Sequence, residues 1–235
     1  MSGRDSCLKG FDRRSTSLKS PRLDALRHHI SELSGIMRIF FALGIPDAVV
    51  YNAFVVCTRI FCNKNPPVTY SDKARYFVVS VRFSIFHRQR NDIMSHLHTI
   101  FGTGISPLIA KKVAIAEAEI LECTKCRIWC HYGNIFEELG IIFHQLFAGI
   151  PGAAKLWETS TRLCWIILGS EMVDRCSTSS NIYSTVLVCA VVLLCKSASV
   201  QLVTYHILQA LHGNEECDAI EVRNSINKLL SYIVN

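Results

Sequence analysis

The run VLVCAVVLLC at residues 186–195 places ten apolar residues side by side, and it limits what this chain can fold into more than any other feature. A helix that crosses a bilayer needs about twenty such residues. A helix of about half that length that is apolar all round has to be covered by other helices, because it has no face to offer water. The composition fits this, with 235 residues, 50% hydrophobic and 19% charged. Such a chain can bury a useful core as one large domain or as two of about 100 residues each, with disorder expected only locally.

The first twenty residues, MSGRDSCLKGFDRRSTSLKS, read differently. They are polar and basic, without the apolar centre of a signal peptide, and predict a flexible basic tail over 1–20 on a soluble, unsecreted protein. Arg4, Lys9, Arg13, Arg14 and Lys19 against Asp5 and Asp12 supply part of the net charge of +6. A solvated tail accounts for them, and nothing in them demands nucleic acid.

Beyond the tail the apolar period is helical throughout. Leu23, Leu26, Ile30, Leu33, Met37 and Phe40 recur at steps of three and four, predicting one amphipathic helix from Pro21 to about Leu43. Pro46 and Asp47 then start GIPDAVVYNAFVVCTRIFC, a helix buried on most sides, before NKNPPVTY breaks the pattern. Helices are expected in SDKARYFVVSVRFSIFHRQ, in the short DIMSHLHTIFG and in the long SPLIAKKVAIAEAEILECTKCRIW. After CHYGN, five more follow within about 100 residues, and no stretch reads as a strand. The expected architecture is all-α, two consecutive five-helix bundles over 21–132 and 133–235.

Cys123, Cys126, Cys130 and His131 crowd into nine positions and invite a metal. Zinc, however, takes four ligands that usually come as two separated pairs, and no second C-x2-C pair exists among the eleven cysteines. Positions 123, 126 and 130 also fall at the spacing of a helix stripe, so they are read as a packed face and no metal site is assigned. Most of the other cysteines sit in apolar helical runs and are read as reduced, buried thiols of the cytosol or nucleus. The pairs His28/His29 and His96/His98 each have a carboxylate one turn away, Glu32 and Asp92, and are read as surface ion pairs. No phosphate-binding loop, nucleophile elbow, H-E-x-x-H or dinucleotide fingerprint occurs, so no catalytic residue and no cofactor is assigned.

Two runs of five helices resemble the tandem boxes of the cyclin family. YNAFVVCTRIFC is similar to the cyclin segment ending Asp-Arg-Phe-Leu, with Thr58 in place of the acid and Arg59 keeping the arginine. SIFHRQ stands where cyclins end their third helix, which places Arg88 at the family's lysine. AIAEAEIL resembles the start of the fifth cyclin helix and places Glu117 at the family's characteristic glutamate. Compactness, and the helix spacing from GIPGAAKLW to SSNIYSTVLVCAVVLLC, look most like the herpesvirus D-type cyclin homologues. One departure is HHISELSG, where Gly35 stands near the tryptophan of substrate-docking cyclins.

The resemblance implies a non-enzymatic subunit that binds and activates a cyclin-dependent protein kinase as a heterodimer, in the nucleus and cytoplasm of a host cell. Arg88 and Glu117 would hold the kinase backbone near its regulatory helix, with Leu121 and Ile128 as apolar company and Gln89 where a hydrophobe is usual. The rival is a cyclin-fold adaptor of the transcription machinery. Residues 134–235 carry six basic side chains against nine acidic ones, which disfavours phosphate contacts there. No membrane partner is expected.

Overall fold

The computed structural model of the chain describes residues 21–63, 69–87, 107–125, 134–170, 179–195, 198–212 and 219–234. These form ten helices: α1 (Pro21–Glu32), α2 (Ser34–Ala42), α3 (Asp47–Asn63), α4 (Tyr70–His87), α5 (Pro107–Thr124), α6 (Ile135–Phe147), α7 (Ala153–Leu168), α8 (Ser179–Leu194), α9 (Val200–His212) and α10 (Ala219–Val234). There is no strand among the described residues, so the all-α expectation holds. None of these helices is long and apolar enough to cross a membrane. The expected helix over DIMSHLHTIFG, the tail 1–20 and the boundary at 132/133 lie outside the described residues.

Two helices organise the packing. On α3, Val49, Val50, Tyr51, Asn52, Ala53, Phe54, Val56, Cys57, Thr58 and Ile60 are all buried, which covers most sides of a helix that advances about 100° per residue and leaves Val55 and Arg59 half-buried on the remainder. It packs against α1, α2, α4, α5 and α6. On α8 every residue from Asn181 to Ala190 is buried, and α6, α7, α9 and α10 surround it. The helix foreseen in VLVCAVVLLC is therefore the second hub, and α6 touches both.

The α3–α4 contact is close because α4 presents serines to it. Asn52 donates to Ser84 Oγ at 2.8 Å, Ser84 Oγ donates to the Ser80 carbonyl at 2.8 Å, and Cys57 Sγ lies 3.5 Å from Ser80 Oγ. Small side chains four residues apart let the backbones approach, and their hydroxyls satisfy each other without water. Burial pushes the Cys57 thiol up to about 12 and the Cys189 thiol likewise, so both stay protonated and behave as apolar filler. Cys164 is buried too, whereas Cys62 and Cys195 are exposed, against the expectation of buried thiols.

Polar bonds stitch the α3 N-terminus to the second half of the chain. Asn134 caps α6, its Oδ1 accepting from the N–H groups of Phe136 and Glu137 at 3.2 and 3.3 Å, while its Nδ2 donates to the Ala48 carbonyl at 2.9 Å. Trp165 Nε1 donates to Asp47 Oδ1 at 2.7 Å. Beside them Tyr51, Phe54, Phe136 and Trp165 stack into one aromatic cluster, with Phe136 and Trp165 centroids 4.7 Å apart. Burial raises the Asp47 carboxyl above the usual carboxylate range, and the Trp165 N–H opposes that rise.

The single first helix expected over 21–43 is two helices. The chain turns at Leu33, whose φ and ψ are −96° and 10°, ahead of Ser34 and Gly35, both weak helix formers. The turn leaves Leu33 fully buried and swings α2 so that Phe40 meets Phe77 of α4 and Phe41 meets Trp165 of α7. At the far end, Gly44 adopts φ +71°. Its N–H bonds the Phe41 carbonyl and the next N–H, of Ile45, bonds that of Phe40. This is the left-handed closure that favours glycine.

Replacing Leu187, fully buried on α8, with alanine is expected to cost about 2–5 kcal/mol, measured by urea unfolding. Trp165→Phe keeps the ring contacts but takes the indole N–H from the half-buried Asp47 carboxylate, and is expected to cost about 1–3 kcal/mol. A neutral outcome for Trp165→Phe would mean the Asp47 bond does not help to hold the halves together.

Candidate functional site

The seam between α4 and α5 carries the one cross-helix ion pair, among the described residues, whose two members are both about a third exposed. Arg82 Nη1 donates to Glu117 Oε1 at 2.7 Å, with 39% and 30% of the two side chains exposed. Arg82 is the sole charged residue in YFVVSVRFSIF, residues 76–86. A lone charge inside so apolar a run must reach out along an edge to an opposite charge.

Helix geometry explains why Glu117 receives it. Ala116 and Ile120 of α5 are buried and mark its inward face. At about 100° per residue, Glu117 falls on one flank of that face and Glu119 on the other. Glu119 accepts a hydrogen bond from the Tyr76 hydroxyl of α4, so each flank of the seam holds a carboxylate that reaches across to α4. Leu121 follows Glu117 on the same flank and is half-buried. Beyond that edge, Ala114 and Ala118 are exposed, whereas Ile115, 48% exposed, lies about 160° round the helix from Glu117.

Of the residues singled out in the sequence, the structure thus brings Glu117 and Leu121 to one edge of α5. Arg88, Gln89 and Ile128 lie outside the described residues. The basic partner seen on Glu117 is Arg82, six positions before the residue expected in that role. Its signal was available, since its isolation among apolar residues asks for a neighbouring acid. Thr58 is buried, with its hydroxyl lacking a hydrogen-bond partner among the described residues, so that stretch of α3 is core. Arg59, next to it, is half-buried.

Cys123 is half-buried against the core at the end of α5, while Cys126, Cys130 and His131 lie outside the described residues, as do Asp92, His96 and His98. No group of histidine, cysteine or carboxylate side chains among the described residues is placed to hold a metal ion. The reading of His28/His29 as a surface pair needs correction. His28 is 70% exposed, but His29 is buried and packs edge-on against Phe61 with centroids 4.9 Å apart. Position 29 falls three residues after Leu26 and four before Leu33, on the stripe by which those buried residues face the core.

The chain matches no protein family, no curated protein and no solved structure.

A half-exposed pair of this kind contributes little to folding, about 0–1 kcal/mol. Arg82→Ala, Glu117→Ala and the double variant are expected to lie within about 1 kcal/mol of the unaltered chain in urea unfolding, with a coupling energy no larger than that. A coupling of several kcal/mol would mean that the pair is structural mortar and that Glu117 has no spare capacity for a partner.

Proposed function

We propose that the chain is a cyclin-like regulatory subunit that binds and activates a cyclin-dependent protein kinase, acting in the nucleus and cytoplasm of a host cell. The observation that carries this reading is the Arg82–Glu117 pair at 2.7 Å across α4 and α5, because the family resemblance places a basic residue of the third box helix beside the glutamate of the fifth. Leu121, half-buried on the same edge, supplies apolar surface beside the pair. The all-helical fold with a largely covered α3 at the centre of its first half is in keeping with a cyclin box.

In this reading the protein contributes no reacting group. The Arg82 guanidinium has five N–H donors and the Glu117 carboxylate two acceptor oxygens, so the pair can bond each other and still bond a partner's backbone carbonyl and N–H. Flanking apolar residues would press against the kinase's mobile helix and favour the conformation in which its active-site ion pair is formed. Activation then follows from binding the active conformation better than the inactive one. Moving a kinase from mostly inactive to mostly active by this route takes about 5.5 kcal/mol of differential affinity. Arginine is a planar fork where the family has a lysine point charge, so the angles of approach to the partner differ.

Mixing the purified chain with individual cyclin-dependent kinases and following phosphorylation of retinoblastoma protein tests the reading. At least one kinase should be stimulated, and Glu117→Ala should weaken binding to it about tenfold or more while circular dichroism and unfolding stay unchanged. If no cyclin-dependent kinase responds, the reading is wrong. Equal binding by Glu117→Ala would remove Glu117 from the interface.

A further inference from the structure

We propose that His29 is the pivot of an acid-released latch that fastens α1 onto α3 and α4. The latch is a cluster of four polar side chains around one carboxylate oxygen. Glu32 Oε2 accepts from Lys73 Nζ of α4 at 2.6 Å. The same oxygen lies 3.7 Å from His28 Nε2 and 3.8 Å from His29 Nδ1. His29 is 6% exposed, and its Nδ1 is buried without a hydrogen-bond partner. The face that α3 turns to this ring is uncharged, the edge of Phe61, and the charge facing it from α4 is Lys73.

This geometry suits a neutral imidazole and no other. A neutral ring needs only one donor and can leave a nitrogen bare, whereas an imidazolium carries two N–H donors that both require acceptors. The nearest acceptor, Glu32 Oε2, stands 3.8 Å from Nδ1, beyond hydrogen-bond distance, and is held at 2.6 Å by Lys73, so a proton on His29 would set a second positive charge near that ammonium, against an aromatic ring and away from water. Burial first, then Lys73 and His28, hold the His29 pKa below its ordinary value of 6.5, with Glu32 opposing.

The sign of the response follows from that direction. In the unfolded or undocked segment His29 takes up a proton as pH falls through 6.5, while the docked ring resists. The stability that His29 contributes is therefore complete above 6.5 and is lost as pH falls from there towards the lowered docked value. Glu32 adds a separate window. The Lys73 bond and charge hold its pKa below 4.5 in spite of desolvation, the largest single influence and one that acts to raise it, so its contribution is lost only under stronger acid. Leu26, Ile30 and Leu33 are the residues by which α1 covers the core, and releasing them would uncover apolar surface of α3 without unfolding α8.

Amide hydrogen exchange of the full-length chain, corrected for intrinsic exchange rates, reads the latch directly. Between pH 7.5 and 5.5, α1 should lose protection while α8 keeps it. His29→Gln should make α1 protection the same at both values, whereas His28→Gln should still show a loss. In the unaltered chain, the midpoint of the loss should coincide with the imidazole titration of His29 followed by NMR, which tests the latch even if His29→Gln does not fold. Unchanged protection of α1 at pH 5.5, a loss that persists in His29→Gln, or a midpoint in the carboxylate range would overturn the proposal.

Discussion

The need to cover α3 on most sides and the centre of α8 on every side governs the rest of this structure. Each buried valine or leucine contributes about 1.5–3 kcal/mol only if it is withdrawn from water, and a helix whose residues are apolar all round withdraws them only when ringed by neighbours. Five helices ring α3 and four ring α8. Since α6 serves both, the two hubs cannot be covered independently, and the aromatic cluster of Tyr51, Phe54, Phe136 and Trp165 fills the place where they meet.

Polar groups in such a core are confined to positions where they satisfy one another. Asn52, Ser80 and Ser84 do so between α3 and α4, and Asp47 with Trp165 and Asn134 with Ala48 do so across the joint. They add specificity of register: sliding α4 by one residue along α3 would part Ser84 from Asn52 and bury both unpaired, at a cost of about 1–3 kcal/mol for each orphaned group. Thr58 and Thr185, whose buried hydroxyls lack partners among the described residues, show that the packing demand outweighs such a cost at isolated sites.

Most of the helices were legible because their apolar residues recur at helical spacing, and that spacing reports burial directly. From Asn134 onward five helices were expected and five stand among the described residues. The turn at Leu33 was not legible: Ser34 and Gly35 weaken a helix but do not end one, and what bends the chain is the pull of Phe40 and Phe41 towards partners 37 and 124 residues away in sequence, Phe77 and Trp165. His29 was misplaced on the surface for a different reason, its polarity. Its partner Phe61 belongs to another helix, yet position 29 sits three residues after Leu26 and four before Leu33, on the very stripe that faces the core, so the spacing outweighs the polarity of the imidazole. At the candidate site, the flank that Glu117 and Leu121 share follows from their spacing on α5 alone, whereas the choice of Arg82 as partner depends on how α4 and α5 are rotated against each other.

Those two surprises meet on α4. Lys73 and Arg82 are nine residues apart, about half a turn out of phase, so they leave α4 on opposite sides, one towards Glu32 of α1 and the other towards Glu117 of α5. Tyr76 adds a second bond to α5 through Glu119. The helix is thus held apolar face inward against α3 by core packing and steadied on both flanks by charges that stay near water. Because the flanking pairs are partly solvated they contribute little to the total stability, yet they fix how far α4 can roll about its axis. A roll that carried Arg82 away from Glu117 would also drag Lys73 off Glu32. The rotation of α4 is the physical variable through which the α1 latch and the α5 edge can influence each other.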